Sequence, residues 1–357
     1  MSLIKHLTVV VFLFLSFFPA IAQSEEQLLD RANELFKNEK YIEALDIITP
    51  LASKGIPRAE CELGLMYDKG LGVLENKKEA FVWYTKSAEH GYPKAQYYLG
   101  DMYYNGDGVS QDFEQAVMWM KKSAEQDYSD AITYMGYLYE RGEGVEKSPE
   151  ESMRWYRMAA EKGNRVAQSN LGNCYRYGQG TEIDMEQAVY WYRRSAESGY
   201  ARAQYTLGDM YYNGVGVSQN YEQAAGWLKK SADQGYANAM NLLAICYETG
   251  HGVTLNYEEA FSWYNKAAEQ GLVVSMANVG HMYQEGRGVE KDYEKALEWL
   301  HKAVEKNNTY AMNRLGYAYE KGFGVEQNPF DAFDWYLKAA EGGHSNSMVE
   351  VAYRYGN

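Results

Sequence analysis

Along residues 93–128 the apolar positions keep a helical beat: Ala95, Leu99, Met102 and Tyr103 fall at i, i+4, i+7 and i+8, one face of an amphipathic helix. Asn105-Gly106 ends it with a left-handed C-cap, and Gly108-Val109 continues as a short loop. A second helix is predicted from about Phe113 to Gln126, with Ala116, Trp119 and Ala124 as recurring positions. Gly100 lies inside the first helix, where glycine costs roughly 1 kcal/mol relative to alanine, so close approach of a paired helix is its predicted reason. Small residues facing the tryptophan are expected to make the large-into-small contact between layers.

The pattern returns every 36 residues without insertion from about residue 57 almost to the end. Gly70, Gly106, Gly142, Gly178, Gly214, Gly250, Gly286 and Gly322 mark it, each followed two residues later by a second glycine. All eight tryptophans, from Trp83 to Trp335, share one register position. A unit this small cannot bury its apolar face alone, so neighbours must stack, and length counts repeats rather than domains. Most units close on a turn glycine such as Gly91 or Gly163. Asp127 and Asn307 replace it where they can adopt the same turn. Residues 23–56 keep part of the register but lack the double-glycine loop, which predicts an N-terminal capping helix pair; residues 343–357 begin a further first helix, a C-terminal cap.

The N-terminus departs from this pattern. Lys5 precedes an apolar run from Leu7 to Phe18, and Ala20-Ile21-Ala22 offers small residues before a cut ahead of Gln23, so residues 1–22 read as a secretory signal peptide. The run is short of the roughly 20 residues that span a bilayer. The expected location is periplasmic or secreted, with no membrane span after cleavage. The formal charge of −14 becomes −15 on losing Lys5, which argues against nucleic acid and anionic membranes as partners.

Little in the chain points to catalysis. Cys174 and Cys246 take the apolar register of Met102 and Met210, as buried thiols would, and no structural disulfide is expected; Cys61 lies in a different register. His90, His251, His281, His301 and His344 are scattered over different repeats, without metal-ligand spacing, and read as surface or loop residues. The paired glycines superficially suggest a phosphate loop, but a helix precedes them where a strand is required. Asn307-Asn308-Thr309 is a glycosylation sequon of consequence only in a eukaryotic source. The expectation is no catalytic residue, no metal, no cofactor and no enzymatic activity.

The run Ala95-Gln96-x-x-Leu99-Gly100-x-Met102-Tyr103-x-x-Gly106-x-Gly108-Val109, then Ala116-x-x-Trp119 and Lys122-Ser123-Ala124-Glu125-Gln126, resembles the Sel1-like repeat (SLR) family, in eight copies over residues 57–342. The resemblance implies an all-α, right-handed superhelical solenoid of tetratricopeptide-type helix pairs serving as a protein-binding scaffold. Similar exported bacterial members act in envelope assembly or host contact. A cysteine-rich Helicobacter branch is linked to β-lactam binding and hydrolysis, but this chain lacks its paired cysteines. The sole Ser-x-x-Lys here is Ser2-Leu3-Ile4-Lys5, inside the leader.

If the first helices line the concave side, their variable positions are the candidate partner-binding residues: Tyr97, Asp101, Tyr104, Tyr137, Asn173, Arg176, Tyr177, Tyr205, Asp209 and Tyr212. Tyrosine couples an apolar ring to a hydroxyl, which suits protein interfaces and also stacks on sugars. An equal alternative is that these rings simply cover neighbouring repeats. The expected function is a protein-interaction scaffold, with a peptidoglycan- or polysaccharide-associated factor as alternative and a β-lactam-interacting enzyme as a third reading.

Overall fold

A computed structural model describes residues 24–355, all helical apart from turns and loops. The expected signal peptide lies outside the described residues. Two compact units are present. The first holds α1 (Glu25–Lys37), α2 (Tyr41–Ser53), α3 (Pro57–Lys69), α4 (Lys77–Glu89), α5 (Pro93–Asn105) and α6 (Phe113–Ala124). The second holds α7 (Ser129–Arg141), α8 (Pro149–Glu161), α9 (Arg165–Tyr177), α10 (Met185–Glu197), α11 (Ala201–Asn213), α12 (Tyr221–Asp233), α13 (Ala237–Thr249), α14 (Tyr257–Glu269), α15 (Val273–Glu285), α16 (Tyr293–Val304), α17 (Thr309–Lys321), α18 (Pro329–Glu341) and α19 (Ser345–Tyr355). Within each unit, odd and even helices pair and successive pairs stack, the arrangement of a Sel1/tetratricopeptide-type solenoid.

Repeat positions are numbered as slots 1 to 36 from residue 57, so Pro57, Pro93 and their equivalents occupy slot 1. The first helix stops as its glycines require. Gly106 adopts φ 77°, its N–H donates to the Met102 carbonyl at 2.9 Å, and Asp107 N–H reaches the same carbonyl at 3.0 Å. The loop then ends on a residue whose role is absent from the apolar pattern. Slot 20 holds Asn, Asp or Ser in every repeat, and this side chain caps the second helix: Asp112 Oδ1 accepts from Gln115 N–H at 3.0 Å. The Asp112 N–H in turn donates to the Tyr103 carbonyl at 2.9 Å, tying the cap back to the first helix.

The large-into-small contact is real, but its large partner is the residue after the tryptophan. A Cβ on Gly136, in slot 8, would stand 2.6 Å from Cδ1 of Tyr156, in slot 28; one on Gly208 would stand 2.9 Å from Cγ of Leu228. Slot 28 is Tyr, Met or Leu and is buried in every repeat. Tryptophan instead sits at the border of the core, buried only at Trp191 and Trp263, and everywhere but Trp155, which has Met158, a cation three residues on covers its ring, as Lys122 Nζ does 4.1 Å from the Trp119 centroid. The ring's amphipathic edge suits that half-buried place better than the tight joint.

The closing turns behave as expected, with Asp127 at φ 64° and Asn307 at φ 60° standing in for glycine. Helix α6 ends at Ala124, two residues before the predicted Gln126, because Gln126 N–H already turns back to Ser123 and Asp127 N–H to Ala124. A hydroxyl fastens the two helices nearby: Ser123 Oγ donates to the Pro93 carbonyl at 2.6 Å, and Ser87, Ser195 and Ser231 repeat the bond. In the N-terminal pair the double-glycine loop gives way to Asn38–Lys40, with Glu39 at φ 58°, and Ser24 and Gln27 form a reciprocal cap on α1.

The two loop glycines do different work, which generates a test. Gly286 has φ 69° and its Cβ would meet only the Lys291 side chain, at 3.2 Å; Gly288 has φ 68° and its Cβ would overlap the backbone carbonyl of Tyr257 in the preceding repeat. Gly286→Ala should therefore lose about 1–2 kcal/mol of left-handed strain. Gly288→Ala should lose at least about twice that, because backbone must also move. Urea midpoints followed by circular dichroism compare them, and equal losses would show that the second glycine serves only its φ.

Candidate functional site

The predicted binding residues occupy four slots of the first helices: 5, 9, 12 and 13. Tyr97, Asp101 and Tyr104 belong to the first unit, and Tyr137, Asn173, Arg176, Tyr177, Tyr205, Asp209 and Tyr212 to the second. All are half-buried except Tyr177, which is 59% exposed. Several of the rings do cover neighbours: Tyr97 lies 5.5 Å from Tyr128, Tyr104 lies 5.3 Å from Phe113, and Tyr205 lies 5.3 Å from Tyr236. Tyr212 packs on Tyr221 and its hydroxyl meets His251 Nδ1 at 3.1 Å.

Slot 12 is less free than its variability suggests. Where slot 28 is tyrosine, its buried hydroxyl needs an acceptor, and slot 12 supplies a glutamate: Tyr156 donates to Glu140 at 2.7 Å, Tyr264 to Glu248 at 2.8 Å and Tyr336 to Glu320 at 2.9 Å. Where slot 28 is Met120, Leu228 or Leu300, slot 12 is Tyr104, Tyr212 or Gln284 and carries no charge. The first repeat misses the match. Asp68 is one methylene shorter and engaged by Lys69 and Lys77, and the Tyr84 hydroxyl stays buried without a partner. Comparing slots 12 and 28 along the sequence would have exposed this coupling.

The fourth repeat solves the same problem differently. Arg176 stands in slot 12, and the Tyr192 hydroxyl donates to Asn173 Oδ1 at 2.6 Å, with the Arg176 charge acting on it. The guanidinium lies over the ring of Tyr177, 5.3 Å from its centroid, and acts electrostatically on Tyr205 and Asp209 of the next repeat. Burial holds Asp209 above the usual carboxylate range, against the pull of Arg176 and the hydrogen bond from Asn213. Burial likewise raises Asp101. Asn173, Arg176 and Tyr177 thus cluster on one repeat, with Tyr205 and Asp209 of the next within electrostatic range and Tyr137 on the preceding repeat.

Another polar network went unseen in the sequence. His281, read as a surface or loop residue, sits in α15 with its ring largely covered: Nδ1 meets the Tyr310 hydroxyl at 2.9 Å and Nε2 lies 3.9 Å from Glu285. Arg314 donates to Gln284 Oε1 and Glu285 Oε1, each at 2.8 Å. Burial first, then the charge of Arg314, lowers the His281 pKa to about 4. The thiols are buried as the register predicts. Desolvation pushes Cys61 and Cys174 up to about 12 and Cys246 to about 11, away from the nucleophilic thiolate. Among the described residues no group of three or more His, Cys, Asp or Glu side chains is placed to hold a metal ion, and no helix is long and apolar enough to cross a membrane.

Comparison with known proteins fits this geometry. The Sel1 repeat model matches eight consecutive segments, 57–92, 93–128, 129–164, 165–200, 201–236, 237–272, 273–308 and 309–344. Among solved structures the chain is similar to a protective antigen present in uropathogenic Escherichia coli strains displaying an SLR fold, at 36% identity and TM-score 0.72 over 93% of this chain and 72% of that one. It is also similar to a Sel1 repeat protein from Oxalobacter formigenes, at 39% identity and TM-score 0.64 over 68% of this chain and 99% of that one. A tetratricopeptide-bearing signal-transduction ATPase from Pyrococcus horikoshii shares the fold at 14% identity and TM-score 0.53, over 96% of this chain and 56% of that one. No curated protein matches.

Two measurements probe these networks. Tyr84→Phe removes a buried hydroxyl that has no partner and should leave stability unchanged or raise it by up to about 1 kcal/mol, whereas Tyr156→Phe strips Glu140 of its donor and should lose about 1–2 kcal/mol. Equal effects would mean that slot 12 and slot 28 are not coupled. His281 titrates at about 4 in the fold against 6.5 when unfolded, so the unfolded chain takes its proton first as pH falls. Its contribution is complete above pH 6.5 and declines toward pH 4. His281→Gln should flatten the fall in stability across that window by an amount of order 2 kcal/mol, and an unchanged pH profile would show that the ring is accessible.

Proposed function

Because this chain belongs to the Sel1 repeat family, we propose that it is an exported scaffold holding a protein partner on the face lined by its first helices. The carrying observation is the cluster of Asn173, Arg176 and Tyr177, with Tyr205 and Asp209 of the next repeat in its electrostatic range. It sets aromatic, amide and guanidinium groups of two successive repeats near one another, the chemistry that dominates protein interfaces. Export is supported by the leader-like composition of residues 1–22, and resemblance to a protective antigen fits a role at the envelope or in host contact. The exposed ring of Tyr177 favours a second reading, association with envelope polysaccharide, since a tyrosine face also stacks on sugars.

Affinity capture with the purified chain from an envelope extract tests the proposal. A specific protein should be retained by the wild type and lost on a Tyr137→Ala, Tyr177→Ala and Tyr205→Ala triple variant whose helicity is intact, with affinity falling by about tenfold or more. Sedimentation with purified cell wall, in place of protein capture, would favour the polysaccharide reading. Turnover of a chromogenic β-lactam by the pure protein would overturn a purely binding role.

A further inference from the structure

The eight repeats are each other's controls: a slot that takes in one copy a character found in none of the other seven, without a change in packing behind it, answers to something besides the fold. The fourth repeat makes two such changes side by side. Slot 12 is acidic in four copies and uncharged in three, and becomes Arg176; slot 13 is polar in the other seven copies and becomes Tyr177, whose ring is 59% exposed. Tyr192 behind them occupies the same buried slot as Tyr156 and Tyr264, so the fold required neither change.

The charge around this pair departs from the rest of the molecule. Residues 141–202 hold ten Lys and Arg against nine Asp and Glu, a formal +1 within a chain of −14, and so the remaining residues carry −15. Eight of the thirteen arginines fall in this stretch. Arg176 is half-buried and forms no ion pair among the described residues; Asp209 attracts it only from beyond contact range and is engaged by Asn213 at 2.8 Å. The guanidinium lies over the ring of Tyr177, 5.3 Å from its centroid, and its charge acts on the Tyr192 hydroxyl. An ordered cation without a carboxylate, beside an exposed aromatic ring, is complementary to an acidic side chain with an apolar neighbour.

We propose that Arg176 and Tyr177 anchor an acidic, extended segment of a protein partner, with a partner Asp or Glu carboxylate on the Arg176 guanidinium and the adjoining apolar residue on the Tyr177 ring. Arg202, exposed and also unpaired at the start of α11, adds a second cation that acts on the Tyr192 hydroxyl. The inference rests on the protein-scaffold reading above and names the chemical class of its partner.

The test uses the full chain and two fluorescein-labelled peptides, four repeats of Gly-Glu-Leu and four of Gly-Gln-Leu, with binding followed by anisotropy. The glutamate peptide should bind at least about tenfold more tightly, weaken as salt rises, and lose about tenfold on Arg176→Gln and several-fold on Tyr177→Ser. Arg154→Gln, which alters an exposed arginine on the second helix α8, should change nothing. Circular dichroism verifies that each variant folds, and the exposed Tyr177 provides one that does not touch the Tyr192 hydrogen bond. Equal affinity for both peptides, or indifference to Arg176→Gln, overturns the anchor. If both peptides then weaken together on Tyr137→Ala, the protein-binding face stands and only the acidic specificity falls. Absence of any peptide binding overturns the anchor too, as does tighter binding of a polygalacturonate oligosaccharide at Arg176, which would assign the cation to a glycan.

Discussion

The close approach of the two helices in each pair, at a first-helix residue with almost no side chain, is the contact on which the rest of the architecture depends. Slot 8 is glycine in seven repeats and Ala244 in the other, and a large slot-28 residue fills the space above it. Glycine inside a helix costs about 1 kcal/mol. Full burial of a Leu, Met or comparable side chain returns roughly 1.5–3 kcal/mol, so the exchange favours the pair each time it is made. Ala244 opposite Tyr264 shows that the joint tolerates a methyl group. Pairing fixed in this way leaves the loop glycines to set the next level, since at Gly108, Gly180, Gly252 and Gly288 a second glycine without a side chain lets the loop rest on the backbone of the preceding repeat.

Copies of one unit impose a discipline on reading function. Slots 3, 7, 8, 10 and 28 answer to packing: small residues at 3 and 8, apolar ones at 7 and 10, and Tyr, Met or Leu at 28, all buried. Slot 12 looks free because it ranges over Asp, Glu, Tyr, Gln and Arg, yet most of that range follows the chemistry of the residue behind it. A buried tyrosine hydroxyl demands an acceptor; a methionine or leucine demands none. The same logic explains small defects. Gln96 and Gln204 accept from Gln126 and Gln234 across the pair, each at 2.7 Å, but the fourth repeat places Ser198 where the donor should be and the Gln168 oxygen goes unpaired.

Periodicity made the helices, their ends and their pairing legible, because a left-handed glycine and an amphipathic stripe each have one local meaning. The large partner in the large-into-small contact is expected to be the tryptophan and is instead the residue after it, Met120 over Gly100, because a one-residue shift along a helix turns a side chain by about 100° yet looks trivial in sequence. His281 was misread for a related reason: its burial depends on Tyr310 and Arg314, 29 and 33 residues onward, and no local pattern reports that. Within the candidate stripe the sequence ranks all ten members equally. Separating Tyr104, which packs on Phe113, from Tyr177, which faces solvent, required the coordinates.

The protonation states of the buried groups bear on what kind of function the molecule can support. Nucleophilic and general-base chemistry draws on groups whose active form is stabilised at neutral pH. Here the shifts run the other way: burial raises Cys61, Cys174 and Cys246 out of the thiolate range, raises the hydroxyls of Tyr156, Tyr192 and Tyr264, and holds His281 neutral. Groups in these states donate and accept hydrogen bonds without exchanging protons. A tyrosine hydroxyl, an asparagine amide and a guanidinium held by such bonds keep fixed directions, and fixed donors reduce the ordering that association would otherwise require. The polar network is therefore better suited to presenting a prearranged surface than to carrying a reaction.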